Sequence, residues 1–318
     1  MAVMPEPDLG LVIPAFNEAE NLPILFEEIA NVIGGGCTFE VLVVDDGSSD
    51  MTSDIIRAAS ARDPRFTGLV LSRNFGHQAA ITIGLQCVRG RAVLIMDADL
   101  QDRPSDGLKL YRECRAASAD VAYAIRRSRQ GSLLKRAAYR LFYRALARLA
   151  RIDIPLDAGD FCVMDRSFVD RLNALPERLR FVRGLRSWLG GRQIGIPVDR
   201  DERRAGRPKY STSKLLRLAI DGLVSFSDVP LRLASVVGFS VSALSLVGMI
   251  VVVLWKLTGK LPSGAGIGTI ALSILFLGGV QLLTAGILGE YVGRIFEEVK
   301  ARPIAIIAER INGTTSDV

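Results

Sequence analysis

The sequence predicts an α/β protein in which helices cover both faces of a mostly parallel sheet, followed by a separate apolar helical part. Three observations carry that expectation. Through the first half, a short apolar run, a polar loop and a stretch with helical spacing recur about every 25 to 30 residues, as βαβ units do. The apolar runs are continuous rather than alternating, which marks strands buried on both faces. The last third then holds two uncharged runs of equal length, 233–255 and 267–289.

The elements follow in order. Gly10–Pro14 is a short apolar strand, and Asn17–Val32 has helical spacing. Val41–Val44 is a second strand, ending at Asp45-Asp46-Gly47-Ser48-Ser49-Asp50, and Thr52–Ala61 reads as a helix capped by Asp50 or a neighbour. Leu69–Leu71 is a third strand, followed by the loop Ser72–Gln78 and a helix through Val88. Val93–Met96 is the fourth, and it runs directly into Asp97, Asp99, Gln101 and Asp102.

That last stretch, VLIMDADLQD, is the one the rest is organised around. Ligand groups in parallel sheets collect at the carboxyl ends of the strands. Asp97 and Asp99, one residue apart, can both reach a single divalent cation there, and Gln101 can add a neutral oxygen. Hard oxygen ligands of this kind suit Mg²⁺ or Mn²⁺ shared with substrate phosphates. The plainer alternative is an acidic loop capping the helix that begins near Pro104. Similarly, Asn17 and Asp50 can be helix caps and nothing more. Three polar loops at successive strand ends argue against so plain a reading. No GxGxxG follows the first strand, which disfavours a Rossmann dinucleotide site.

Composition narrows the class. Hydrophobic residues are 49% of the 318 and the mean hydropathy is +0.28, high for a purely soluble protein. A net charge of +6 points to an anionic partner without separating nucleic acid, membrane or phosphorylated substrate. The four cysteines (37, 87, 114 and 162) have no CxxC spacing, so neither a zinc site nor a disulfide framework is indicated. A single histidine, His77, rules out a multi-histidine metal centre. The first residues lack a basic region followed by an apolar one, so no signal peptide is expected.

From Arg126 to Arg151 there are nine basic residues and no acidic one, interleaved with Leu133, Leu134, Leu141, Phe142, Leu146 and Leu149. A basic amphipathic helix of this kind can lie on an anionic membrane surface. A solvated charged face is the alternative. Nucleic-acid binding is disfavoured, because the aromatic platforms of single-strand binders are sparse. Ser211–Ser227 is a second amphipathic stretch. Each uncharged run would span about 35 Å as a helix, enough to cross a ~30 Å hydrocarbon core. Two such runs joined by a Gly- and Pro-rich turn predict a transmembrane hairpin with Trp255 at an interface.

VIPAFNEAENL, VLVVDDGSSDMT, LSRNFGHQAA and DADLQD together resemble family 2 glycosyltransferases of the GT-A fold. The likeness is greatest to polyprenyl-phosphate glycosyltransferases, and the two apolar runs point to the bacterial branch that glucosylates undecaprenyl phosphate. It extends over nearly all of residues 8–300. It implies a nucleotide-sugar donor, a divalent metal and an inverting transfer. By position, Pro14, Ala15, Asn17, Glu18, Asp46, Asp97 and Ala98 would hold the donor, and Asp97, Asp99 and Gln101 the metal. Arg203–Tyr210 resembles the loop that closes over the donor diphosphate, through Arg204 and Lys209. Arg126 and Lys135 or Arg136 would grip the acceptor phosphate. Asp157, in PLDAGDFCVMD, would stand at the reacting centre; a phosphate monoester is already largely ionised at neutral pH, so this carboxylate can orient the acceptor instead of taking a proton. Tyr139 and Cys162 replace a usual serine and a usual arginine, and Pro208 another usual serine.

The expected organisation is a cytoplasmic GT-A domain over 1–210, a juxtamembrane amphipathic helix over 211–230, two transmembrane helices within 231–290 and a cytoplasmic C-terminal tail over 291–318. The expected activity is transfer of a hexose, foremost glucose from UDP-glucose, to undecaprenyl phosphate at the cytoplasmic face of a bacterial inner membrane. Within enzymes the rival is a GDP-mannose donor. From another class the rival is a noncatalytic membrane scaffold, which the intact DADLQD and Asp157 speak against. The sequence leaves a homo-oligomer open and implies no nucleic acid.

Overall fold

A computed structural model of the protein describes residues 6–126, 158–178, 180–198, 229–258 and 267–312. They fall into two compact units, one holding the sheet and its helices and the other the two long apolar helices.

In the first unit, eight strands form one sheet in the order β7-β5-β6-β4-β1-β2-β3-β8. β1 (Leu9–Ala15), β2 (Phe39–Asp45), β3 (Phe66–Leu71) and β4 (Ala92–Ile95) are the four expected strands, the first three extended at one or both ends and the fourth shifted one residue towards the N-terminus. They run parallel to one another. Every residue of β1 and β2 is buried, as a sheet covered on both faces requires. The helices between them are α1 (Leu22–Val32), α2 (Thr52–Arg62) and α3 (His77–Cys87), with α4 (Pro104–Ala116) after β4. The first helix starts five residues later than its spacing predicts. Asn17 adopts φ +55°, a left-handed conformation that no helix accommodates, and residues 17–19 are instead bonded across to the next loop.

Close packing of α3 on the sheet explains one glycine. A Cβ at Gly84 would fall 2.3 Å from Val12 Cγ1, so any side chain there would lift the helix off β1. On the other face Phe26, Phe39 and Phe66 pack as a tilted and edge-on trio, with centroids 5.0 and 6.1 Å apart. Truncating Phe66 would cost about 3–5 kcal/mol.

The remaining strands are the part that periodicity did not predict. β5 (Val121–Arg126), β6 (Ala158–Asp165) and β7 (Gln193–Val198) extend the sheet beyond β4, with α5 (Arg166–Asn173) and α6 (Val182–Leu189) between β6 and β7. β6 runs antiparallel to both β4 and β5, so the sheet is mixed though mostly parallel. Arg126, expected to open a basic helix, is the last residue of strand β5 instead, paired in register with Val198. The rest of that helix, with Lys135, Arg136 and Tyr139, lies outside the described residues, as do Asp157, Arg204, Lys209 and the stretch 211–227.

The expected C-terminal tail contains a strand. β8 (Ile307–Ile311) returns to the sheet and pairs antiparallel with β3, covering what would be an open edge.

The second unit contains α7 (Val229–Leu257) and α8 (Ile267–Lys300), which touch one another. Both extend beyond the uncharged runs. Many of their described apolar residues, among them Phe239, Leu244, Leu257, Leu282 and Leu283, are exposed. Among the described residues, Phe276–Lys300 is the stretch long and apolar enough, by length and composition, to cross a membrane. The turn expected between the helices, 259–266, lies outside the described residues.

Candidate active site

β1, β2 and β4 all end on the same edge of the sheet, so their loops meet there. The loop after β1 is knitted to the loop after β2. Asn17 N–H donates to Ser48 Oγ at 2.8 Å, and Asn17 Oδ1 accepts from Ser49 N–H at 2.9 Å. Glu18 N–H donates to Thr52 Oγ1, and Ala19 N–H to Asp50 Oδ2. Asn17 is thus a clip between loops and not a helix cap. Asp50 lies one residue before the N-cap position of α2, which Met51 holds without a side-chain cap; its Oδ1 accepts from the Thr52 N–H at the start of α2. The Glu18 carboxylate accepts from Asn21 Nδ2. Pro14 and Ala15 are buried at the end of β1.

The two carboxylates at the end of β2 are almost fully enclosed. Asp45 Oδ1 accepts from Ser48 N–H. Asp46 accepts from Phe75 N–H at 2.7 Å and Gly76 N–H at 2.9 Å, one amide per oxygen. Burial raises the Asp46 pKa despite those two bonds. The 72–76 loop can reach it because Gly47, at φ +69°, has no side chain; a Cβ there would lie 2.5 Å from the Arg73 backbone.

The carboxylates after β4 are placed differently. Asp97 and Asp99 are half-buried, with Ala98 buried between them. Leu100 takes φ +59°, and Gln101 N–H donates back to Asp99 Oδ1. α4 has Arg103 at its N-cap position and no side-chain cap, so capping is not what this acidic loop does. It walls a cleft of about 60 Å³ lined by Asp97, Gln101, Asp102, Asp106, Asp160 and Arg183.

Asp160 is the residue that sequence reading passed over. β6 pairs Cys162 with Ile95, and two steps further the antiparallel register brings Asp160 beside Asp97. The His77 imidazole, at the start of α3, stands between them, with Nε2 3.6 Å from Asp97 Oδ1 and 3.7 Å from Asp160 Oδ2. From the other side Arg183 contacts Asp160 at 3.2 and 3.3 Å, and Gln78 donates to it while accepting from Val182 N–H at the start of α6. Burial pushes the Asp160 carboxyl up. His77 and Arg183 outweigh it and hold the group well below the usual carboxylate range. Burial likewise opposes a charged His77, yet Asp160 and Asp97 raise its pKa above the ordinary value, with Arg183 working against them.

The signal for Asp160 lay in PLDAGDFCVMD, but only the strand pairing distinguishes it from its neighbours. His77 and Gln78 were visible in LSRNFGHQAA without a role. Cys162, the position noted for a missing arginine, lies buried where Arg186 from α6 lowers a thiol pKa that burial raises overall. Arg186 itself is 1% exposed and sits over the Tyr123 ring, 5.0 Å from its centroid.

The oxygen donors suit a hard cation. Among the described residues, no three His, Cys, Asp or Glu side chains form a group that could hold an ion unaided. An Mg²⁺-type ion is bound through one or two carboxylates together with substrate phosphates and waters.

Comparison with known proteins bears on the family. The model of the family described as glycosyl transferase family 2 matches residues 11–172. Uncharacterized glycosyltransferase YkcC of Bacillus subtilis is 39% identical over 94% of this chain and 92% of its own. The SfII prophage-derived bactoprenol glucosyl transferase of Shigella flexneri is 38% identical over 96% of this chain and 99% of its own. A more distant backbone likeness, at TM-score 0.47 and 18% identity, is to glucosyl-3-phosphoglycerate synthase from Mycobacterium tuberculosis, covering 70% of this chain and 80% of that one.

Proposed function

The chain belongs to glycosyl transferase family 2 and is a glycosyltransferase, and from that premise we propose that it moves glucose from UDP-glucose to a polyprenyl phosphate at a membrane surface. The observation that carries the proposal is the pair of half-buried carboxylates, Asp97 and Asp99, in a chain whose near full-length relatives include bactoprenol glucosyl transferases. Undecaprenyl phosphate is the acceptor we assign, since bactoprenol is the lipid in those relatives' names.

In this reading an acceptor phosphate oxygen attacks the anomeric carbon from the face opposite UDP. The new C–O bond forms as the bond to the diphosphate breaks, so the configuration inverts. Asp97, Asp99 and Gln101 would hold Mg²⁺ or Mn²⁺, which supplies positive charge to the departing diphosphate. The nucleoside lies along Pro14, Ala15, Asn17, Glu18 and Asp46, with Arg204 and Lys209 over the diphosphate. Arg126, Lys135 and Arg136 bind the acceptor phosphate, and Asp157 orients it. His77 and Asp160 fix the Asp97 side of the cleft.

The exposed apolar helices support membrane residence. We assign α7 and α8 as a transmembrane pair, 211–230 as an interfacial helix and the sheet unit to the cytoplasmic side of a bacterial inner membrane. The test is incubation of the full-length protein with Mg²⁺, undecaprenyl phosphate and a panel of nucleotide sugars. Glucosyl lipid from UDP-glucose is expected. Product from GDP-mannose alone would move the assignment to a mannose synthase, and hydrolysis or transfer from no donor would overturn it.

A further inference from the structure

The segment that follows α8 is bonded to the loops that shape the candidate site. The chain leaves α8 through Ala301, at φ +51°. Arg178, four residues before α6, donates from its guanidinium to the Arg302 carbonyl at 2.8 Å. Ser72 N–H, directly after β3, donates to the Ile306 carbonyl at 2.9 Å. β8 then pairs along β3, and Glu309 receives both Nε and a terminal nitrogen of Arg57 at 3.0 and 2.7 Å. Ile311 is buried and belongs to the apolar core beneath the sheet.

Ser72 opens the loop whose other end, Phe75 and Gly76, holds both Asp46 oxygens. The next two residues are His77 and Gln78, which face Asp160. Arg178 belongs to the connection that leads into α6 and Arg183. One segment therefore fastens both backbone stretches that deliver the groups around Asp46, Asp97 and Asp160.

We propose that residues 302–311 are a positioning strap: by holding Ser72 and Arg178 they set the 72–78 loop, and with it the donor side of the site, in its binding-competent arrangement. This rests on the reading that the nucleotide sugar binds along the ends of β1, β2 and β4. The strap touches no substrate itself. Its loss is felt in donor affinity more than in the chemical step, because the groups at the reacting carbon lie on other elements.

The test uses the full-length protein in lipid nanodiscs. Glu309→Arg sets a cation against Arg57, and Ile311→Ala removes the buried anchor of β8. Amide exchange over 307–311 reads whether the strap is loosened, and exchange at Ser72, Phe75 and Gly76 reads the loop. Exchange at those three amides should quicken at least about tenfold, and the dissociation constant for UDP-glucose with Mn²⁺ should rise about three- to tenfold, with kcat within about twofold. Adding Arg57→Glu to Glu309→Arg re-forms an ion pair and should restore both. A loosened strap with unaltered loop exchange and donor affinity overturns the proposal, as does weaker donor binding with an unaltered loop. Wild-type protein that binds no UDP-glucose overturns the donor reading instead, and the exchange measurements still decide the strap.

Discussion

Two strand ends carry nearly the same sequence signal and do different work. At the end of β2 stand Asp45 and Asp46; after β4 stand Asp97 and Asp99. The first pair is 1% and 3% exposed, and each carboxylate accepts from backbone amides of its own or the neighbouring loop. The second pair is half-buried, and Asp97 lines a cleft and faces another carboxylate across an imidazole. An acidic doublet after an apolar strand therefore states where chemistry collects, but not how deeply its oxygens are enclosed. Enclosure separates the two pairs more than amide bonding does, since Asp99 Oδ1 also accepts from Gln101 N–H. Where a following loop folds back, as at Phe75 and Gly76, the carboxylate becomes part of the frame.

The comparison can be broken most decisively at Asp99. Asp99→Ala should lower kcat by about 10²-fold or more, while melting within about 2 °C of the wild type. Chelation should act in the same way: excess EDTA silences the wild type, and Mg²⁺ or Mn²⁺ restores it. Full activity in excess chelator would remove the ground for treating the β4 end as a cation site.

Asp46→Ala should show the opposite balance. It leaves two amides without their acceptor at an enclosed position, which costs about 1–3 kcal/mol, read as a lower melting temperature, with activity loss appearing mainly as a higher donor KM. If this variant melted like the wild type and lost kcat as Asp99→Ala does, the two ends would be equivalent.

A smaller effect concerns His77. Its pKa is raised in the folded protein, so the native state binds that proton more tightly than the unfolded chain. In metal-free protein its contribution to stability should be complete below about pH 6.5 and fade as the pH rises through the elevated value. His77→Gln should flatten that part of the melting profile between pH 5.5 and 8.5. An unchanged slope would show that the imidazole does not sense the two carboxylates.

The smallest change is expected at Asn17. Asn17→Asp keeps an acceptor for Ser49 N–H and tolerates φ +55°, so stability should stay within about 0.5 kcal/mol.

How legible the molecule was from its sequence follows the same division. β1 to β4 and α2 to α4 were readable because each strand is apolar throughout and each loop announces its turn. The beginning of α1 was not, because a cross-loop clip at Asn17 overrides helical spacing. β5 to β8 were missed for a different reason. They are mixed in direction and lie outside the regular strand–loop–helix spacing, and β7 and β8 are only partly buried, so neither continuous burial nor strict alternation marks those two. Asp97, Asp99 and Gln101 could be found because they are close in sequence. Asp160, 63 positions from Asp97, could not, because its place depends on an antiparallel register that no local pattern encodes.

The closure of the sheet by β8 also sets an order of events during synthesis. Arg57 and its partner Glu309 are 252 residues apart in the chain. At translation speeds of 5 to 20 residues per second, roughly 13 to 50 s separate the emergence of one from the emergence of the other. Through that interval the β3 edge, Phe66–Leu71, has no neighbour on its outer side, and both apolar helices are made before its cover arrives. An unpaired apolar strand is a template for any other extended chain nearby. Versions of the protein cut before residue 302 keep that edge bare permanently, and clumping of such fragments would arise there, in the unit that holds the sheet.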